Sequence, residues 1–116
     1  MQDRIGELRA LHHFFNQDDF SGVLSTPYLF LSRTRNRDGY YEYRAHRDWT
    51  PIRQELKRAS ITISEWCWEE NTMEGTLLHE MIHQYQAEIL DEAPHHNEVF
   101  HEMVRSLEDK YGFEIE

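Results

Sequence analysis

Residues 76–86 read TLLHEMIHQYQ, with two histidines four residues apart and a glutamate directly after the first. Residues four apart on an α-helix differ by about 40° in direction and about 6 Å in height, so His79 and His83 project from nearly the same face. Two imidazoles so placed can grip one metal ion. Glu80 lies about 100° round from His79, beside such an ion rather than on it, where a general base belongs. Leu77, Leu78, Met81, Ile82, Tyr85 and Ile89 supply an apolar side at helical spacing. The stretch therefore demands an amphipathic helix with one packed face and one chemically equipped face.

The segments around it set the fold class. Between Asp3 and Gln17, Ile5, Leu8, Leu11, His12 and Phe15 recur at helical spacing, which predicts a first helix ending near NQDD. His12 and His13 read there as packing or surface residues. YLFLS at 28–32 predicts a short buried strand, GYYEYR at 39–44 a second, and ASITISE at 59–65 a third. Asn71, with Glu74 three residues on, predicts a capping box at the start of the key helix, which runs to about Leu90. Pro94 marks the exit, and Val99, Phe100, Met103, Val104 and Leu107 predict a last helix from about Asn97 to Tyr111. The reading is an α+β, zincin-like fold: N-terminal helix, small three-stranded sheet, HExxH helix and C-terminal helix. Trp66, Cys67 and Trp68 follow the third strand; core packing is their plainer role, a wall of the cleft the alternative.

A chain of 116 residues with 39% hydrophobic and 29% charged content fits one domain, residues 1–116. The single cysteine, Cys67, rules out an internal disulfide and suits a reducing compartment, so a cytoplasmic address is expected. The first nine residues carry charges and no unbroken apolar stretch follows, so neither a signal peptide nor a membrane span is expected. Monomer is the default at this size. The net charge of −10 argues against general attraction to nucleic acid. The charge is uneven: Arg33 to Arg58 holds eight basic and four acidic residues, a local excess of +4. A solvated surface is the plain reading of that segment, and a patch for an acidic partner the alternative.

The bare HExxH string arises by chance in about 0.07 of shuffled chains of this composition, so its helical context has to carry weight. Zinc suits imidazole ligands, and three protein ligands leave a fourth position for water. Binding lowers that water's pKa from about 15.7 towards about 7, which makes amide hydrolysis the natural reaction class. For the third ligand, the extended stretch DEAPHH can cover up to about 20 Å, enough to return His95 or His96 to the ion. Glu98 and Glu102 on the next helix are the carboxylate alternatives, and His101 reads as a helix-surface residue. Of these, His96 stands foremost. Metzincin spacing is excluded, because Gln86 and Ile89 stand where that pattern needs Gly and His. For oxyanion stabilisation beyond the metal, Tyr40 and Tyr85 are the candidates, each with core packing as the plainer role.

FFNQDDFSGVLSTPYLFLS, GYYEYR, ASITISE, TLLHEMIHQYQ and HNEVF together resemble the Spartan-related SprT-like zinc metallopeptidases over most of the chain. The resemblance implies His79, His83 and His96 as zinc ligands and Glu80 as catalytic base; it favours His96 because Phe100 stands four residues beyond. It departs in two respects: position 97 is Asn where Gly is frequent, and the cysteine-rich zinc ribbon of many members has no counterpart here.

The leading expectation is a Zn2+-dependent endopeptidase acting on protein or peptide substrates, with Glu80 taking a proton from zinc-bound water. One alternative is a DNA-associated protease acting on DNA-bound or DNA-crosslinked proteins, a role the resemblance implies and the net charge does not favour. The other is a non-catalytic zinc-binding interaction module, which has no use for a glutamate beside its first ligand.

Overall fold

Asp3 opens the first helix by accepting a hydrogen bond from the Gly6 amide at 2.8 Å, and α1 then runs Arg4–Asp19. The computed structural model describes residues 3–47 and 55–115, excluding the side chains of residues 43–47 and 55–58. Leu8, His12, Phe15 and Asn16 form the buried stripe of α1. Beyond it, Ser21 (φ 55°) and Gly22 (φ 72°) turn the chain through the left-handed region. Asn16 closes this turn by bonding the Leu24 carbonyl at 2.9 Å and the Leu24 amide at 3.0 Å.

Three strands follow: β1 (Tyr28–Ser32), β2 (Gly39–Arg47) and β3 (Glu55–Ser64), in the order β1-β3-β2. β1 runs parallel to β3 and β2 antiparallel to it, so the sheet is mixed. The centre of the sheet is the fully buried series Ala59, Ile61 and Ile63. β1 is not the buried strand its apolar composition suggested. It is an edge whose inward residues are Leu29 and Leu31, while Tyr28 and Phe30 are 41% and 51% exposed. Of the basic segment Arg33–Arg58, residues 48–54 and the side chains of 43–47 and 55–58 lie outside what is described.

A short helix, α2 (Trp66–Glu69), joins the sheet to the central helix α3 (Met73–Glu88). The expected capping box does not form. Asn71 has φ 58°, taken up in the left-handed turn between α2 and α3, and Thr72 occupies the cap position without a side-chain bond. The two tryptophans of α2 are packing residues at its flanks. Trp66 donates to the Arg33 carbonyl at 3.2 Å under the Arg35 guanidinium, and Trp68 donates to Glu7 at 3.0 Å. Cys67 is fully buried between Asp38 and Thr76, and burial pushes its thiol pKa up, the opposite of an activated nucleophile.

α3 packs on β2, β3, α1 and the last helix, α4 (Glu98–Tyr111). Leu77, Leu78, Met81 and Ile82 are fully buried as their spacing requires, whereas Ile89 lies past the helix end and is 42% exposed. Polar residues of α3 are buried too, among them Gln84, which bonds His12 of α1 at 2.8 Å and the Ser25 carbonyl at 2.9 Å. His12 is thus a packing histidine, its pKa lowered chiefly by burial. α4 is capped by Asn97, which accepts from the Phe100 amide at 3.0 Å, and stopped by Gly112 at φ 78°. The result is an α+β fold with an N-terminal helix, a small mixed sheet and C-terminal helices. No described helix is long and apolar enough to cross a membrane.

Candidate metal centre

The faces of α3 divide the chemistry. Thr76 meets β2 at Gly39, where any side chain would run into the Thr76 methyl and the Thr62 carbonyl. Glu80, one turn further along, shares that sheet-facing side and is 5% exposed. His79 and His83 face the start of α4 instead. There Phe100, fully buried, places its ring 4.9 Å from the His79 ring, 4.9 Å from His83 and 4.4 Å from His96, measured between centroids.

The loop 89–97 brings His96 to the same point. The candidate ligand nitrogens of His79, His83 and His96 all lie within 4.8 Å of one another, and burial falls from His83 through His79 to an exposed His96. A tetrahedral zinc ion with bonds of about 2.0–2.1 Å spaces its nitrogens about 3.3 Å apart, so small side-chain rotations suffice to close the set. Among the described residues no other group of three His, Cys, Asp or Glu side chains forms such a cluster, and His95, Glu98 and Glu102 do not join it.

Two further features fit a cation. Burial, then the neighbouring His83 and His96, lowers the His79 pKa to about 4, and burial lowers that of His83. Both imidazoles are neutral at pH 7, with a lone pair to give. The second is the tautomer of His83. Gln86 donates from Nε2 to the His95 carbonyl at 2.9 Å and to Asn97 Oδ1 at 3.1 Å, so its Oε1 is the atom facing His83 Nδ1 at 2.9 Å. An amide oxygen can only accept, so Nδ1 carries the proton and Nε2 is free for a ligand bond. Asn97 thereby serves both the α4 cap and the Gln86 bridge, a use that a glycine there could not supply.

Glu80 is a buried carboxyl with no hydrogen-bonded donor among the described residues. Burial raises its pKa to about 8, with the positive charge of Arg37 pulling the other way. Gln86 and Arg37 were not singled out as partners by the sequence pattern. Gln86 left a trace nonetheless, as a polar residue three positions after a candidate ligand on a helix too apolar to waste it. The two tyrosine candidates lie elsewhere in the fold: Tyr85 packs on Phe20 at 6.0 Å, and Tyr40 lies with Phe30 on the sheet face away from the core, 5.2 Å from Arg37.

Comparison with curated proteins and with solved structures returns no match. The model of the SprT-like family does match, and it does so over residues 8–116, taking in most of α1, the sheet, the histidine cluster and the C-terminal helix; the chain belongs to the SprT-like family.

Proposed function

We propose that the chain is a zinc-dependent metallopeptidase that hydrolyses peptide bonds of protein substrates. The observation that carries this reading is the convergence of His79, His83 and His96 on one point, with the buried carboxyl of Glu80 on the adjacent face of the same helix. The three histidines would hold the metal. When bound, zinc supplies Lewis acidity near neutral pH, acidifying water and polarising the scissile carbonyl, and its charge favours the ionised form of Glu80. A carboxylate oxygen of Glu80 accepts a proton from the attacking water and delivers it to the leaving amine nitrogen. Gln86 keeps the His83 Nδ1 proton in place throughout, so that the ring neither flips nor changes tautomer.

Elemental analysis of wild type, His96→Ala and Glu102→Ala, purified without added metal, tests the site. About one zinc per chain is expected in wild type and Glu102→Ala, and a loss in His96→Ala; a zinc-free wild type under several conditions would sink the reading. A fluorescent casein or peptide-library assay tests the activity, and stoichiometric zinc without any cleavage would shift the balance to a non-catalytic zinc module. Gln86→Ala is expected to weaken zinc binding about 10- to 100-fold in chelator competition, since it frees the His83 ring and unties residues 95–97. Wild-type affinity in that variant would mean that packing on Phe100 alone holds the ring.

A further inference from the structure

β1 forms one edge of the sheet, and its backbone shows which groups that edge offers. The Glu65 amide donates to the Ser32 carbonyl at 2.8 Å, so Ser32 turns its main-chain groups toward β3. In a parallel ladder alternate residues bond the same neighbour. Phe30 and Tyr28 therefore bond β3 as well, and the N–H and C=O of Leu29 and Leu31 point outward along the free edge. Among the described residues no hydrogen bond from outside the sheet reaches them. Edge strands are commonly guarded by charge, proline or a bulge. YLFLS has none of these within it, and its register with β3 runs unbroken from Tyr28 to Ser32. Pro27, directly before it, confines any pairing to this one short stretch.

The two faces beside the edge differ in chemistry. On the outer face stand the exposed rings of Tyr28 and Phe30, their centroids 6.4 Å apart. On the inner face a groove of about 540 Å³ separates the edge from the flank of α1, with Pro27 and Leu29 on one wall and Gly6, Arg9, Ala10 and His13 on the other. No acidic side chain lines it. Arg9 is its one formally charged residue, exposed and without an ion-pair partner among the described residues. In a chain of net charge −10 this groove is a cationic exception.

A strand added to β1 sends successive side chains to opposite faces, one set over the aromatic pair and the other into the groove. We propose that the free edge of β1 docks an extended segment of a partner protein in which apolar and acidic residues alternate, the apolar ones over Tyr28 and Phe30 and the acidic ones toward Arg9 and His13. Main-chain bonds to Leu29 and Leu31 supply the attachment, and the two faces supply the selection. A second copy of the chain suits the edge poorly, since YLFLS brings no acid for Arg9 and each copy carries a net charge of −10. The proposal is independent of the metallopeptidase reading: α3, which carries His79 and His83, packs on β2 and β3, whereas β1 packs on α1.

The test is fluorescence anisotropy of labelled seven-residue peptides with the full chain. A peptide alternating valine and glutamate is expected to bind about 10-fold more tightly than one alternating valine and lysine, and Arg9→Glu to reverse that order. Two further versions of the first peptide carry N-methyl groups on every valine or on every glutamate. Only one of these sets of amides can face β1, so one version should bind like the parent and the other about 10-fold more weakly. Equal binding of the two methylated peptides would overturn pairing at the edge, and an unchanged order in Arg9→Glu would overturn the acidic partner. Absence of binding by every peptide would overturn both. Self-association of the chain in sedimentation, dispersed by the exposed substitution Phe30→Lys, would make a second copy the occupant and overturn the proposal in that way.

Discussion

Glu80→Gln is expected to retain zinc at the wild-type stoichiometry and to cleave peptide substrates about 10²- to 10⁴-fold more slowly, the range that a positioned general acid–base contributes. The amide preserves the shape of the carboxyl but cannot take the proton from water or pass it to the amine. Since Glu80 is not one of the three converging residues, loss of zinc in this variant would contradict the assignment as directly as retained turnover. The same substitution has a second, opposite effect. The metal-free protein holds Glu80 at a pKa of about 8 against an ordinary value of 4.5. Below pH 4.5 the group is protonated in both folded and unfolded chains and contributes nothing. As pH rises towards 8 the unfolded chain ionises while the folded one resists, so wild type loses stability, and the loss levels off above that value. A glutamine escapes this cost. Urea denaturation of metal-free chains should therefore show Glu80→Gln gaining on wild type between pH 5 and 8, by about 3–5 kcal/mol at the upper end. A constant difference across that range would place the carboxyl in water rather than in the core. A residue that destabilises its own fold while its replacement slows turnover is the signature of a group kept for chemistry.

Much of this arrangement was legible because it is local. The HExxH spacing needs only the pitch of a helix, and each of the three long helices carried an apolar stripe that required burial. The extent of α4 was equally plain: a helix expected from about Asn97 to Tyr111 runs Glu98–Tyr111 around the buried series Phe100, Val104 and Leu107. Reading failed where two local signals competed. Asn71 is as good in a left-handed turn as at a helix cap, and the short α2 needed the turn, so the cap went to Thr72. Tyr28 and Phe30 look like core residues in isolation; the register sets them beside Ser60 and Thr62 on the face of the sheet away from the core, which turns them outward. The non-local partners were hidden altogether. His12 with Gln84, and Gly75 with the Glu114 carbonyl, join residues far apart in sequence, one through a backbone atom that every residue possesses. The third histidine sits between these extremes. Chain length allowed both His95 and His96 to return to the helix. What separates them is that the loop spends the His95 carbonyl on Gln86 and brings the His96 ring onto Phe100.

Phe100→Ala carries the largest structural consequence. The ring is fully buried and nearly parallel to His83 and His96, at interplanar angles of 14° and 15°, while His79 meets it edge-on at 70°. It is the common floor on which three imidazoles from two elements rest. Deleting it removes core contacts and leaves a void, at a cost of about 3–5 kcal/mol, a large share of the roughly 5–15 kcal/mol that stabilises a domain. The metal-free variant should unfold at markedly lower urea. Its apparent stability should then climb with zinc concentration, because a ligand that binds only the folded form stabilises it by mass action. Phe100→Leu separates packing from orientation. Leucine restores most of the buried volume and should recover most of the stability, but it offers no flat surface to align two parallel rings, so zinc affinity should recover less. If Phe100→Leu regained stability and affinity in equal measure, the ring would be filling space and nothing more. If Phe100→Ala lost less than about 1 kcal/mol, far below the usual cost of such a deletion, the floor beneath the histidines would not be part of the core at all.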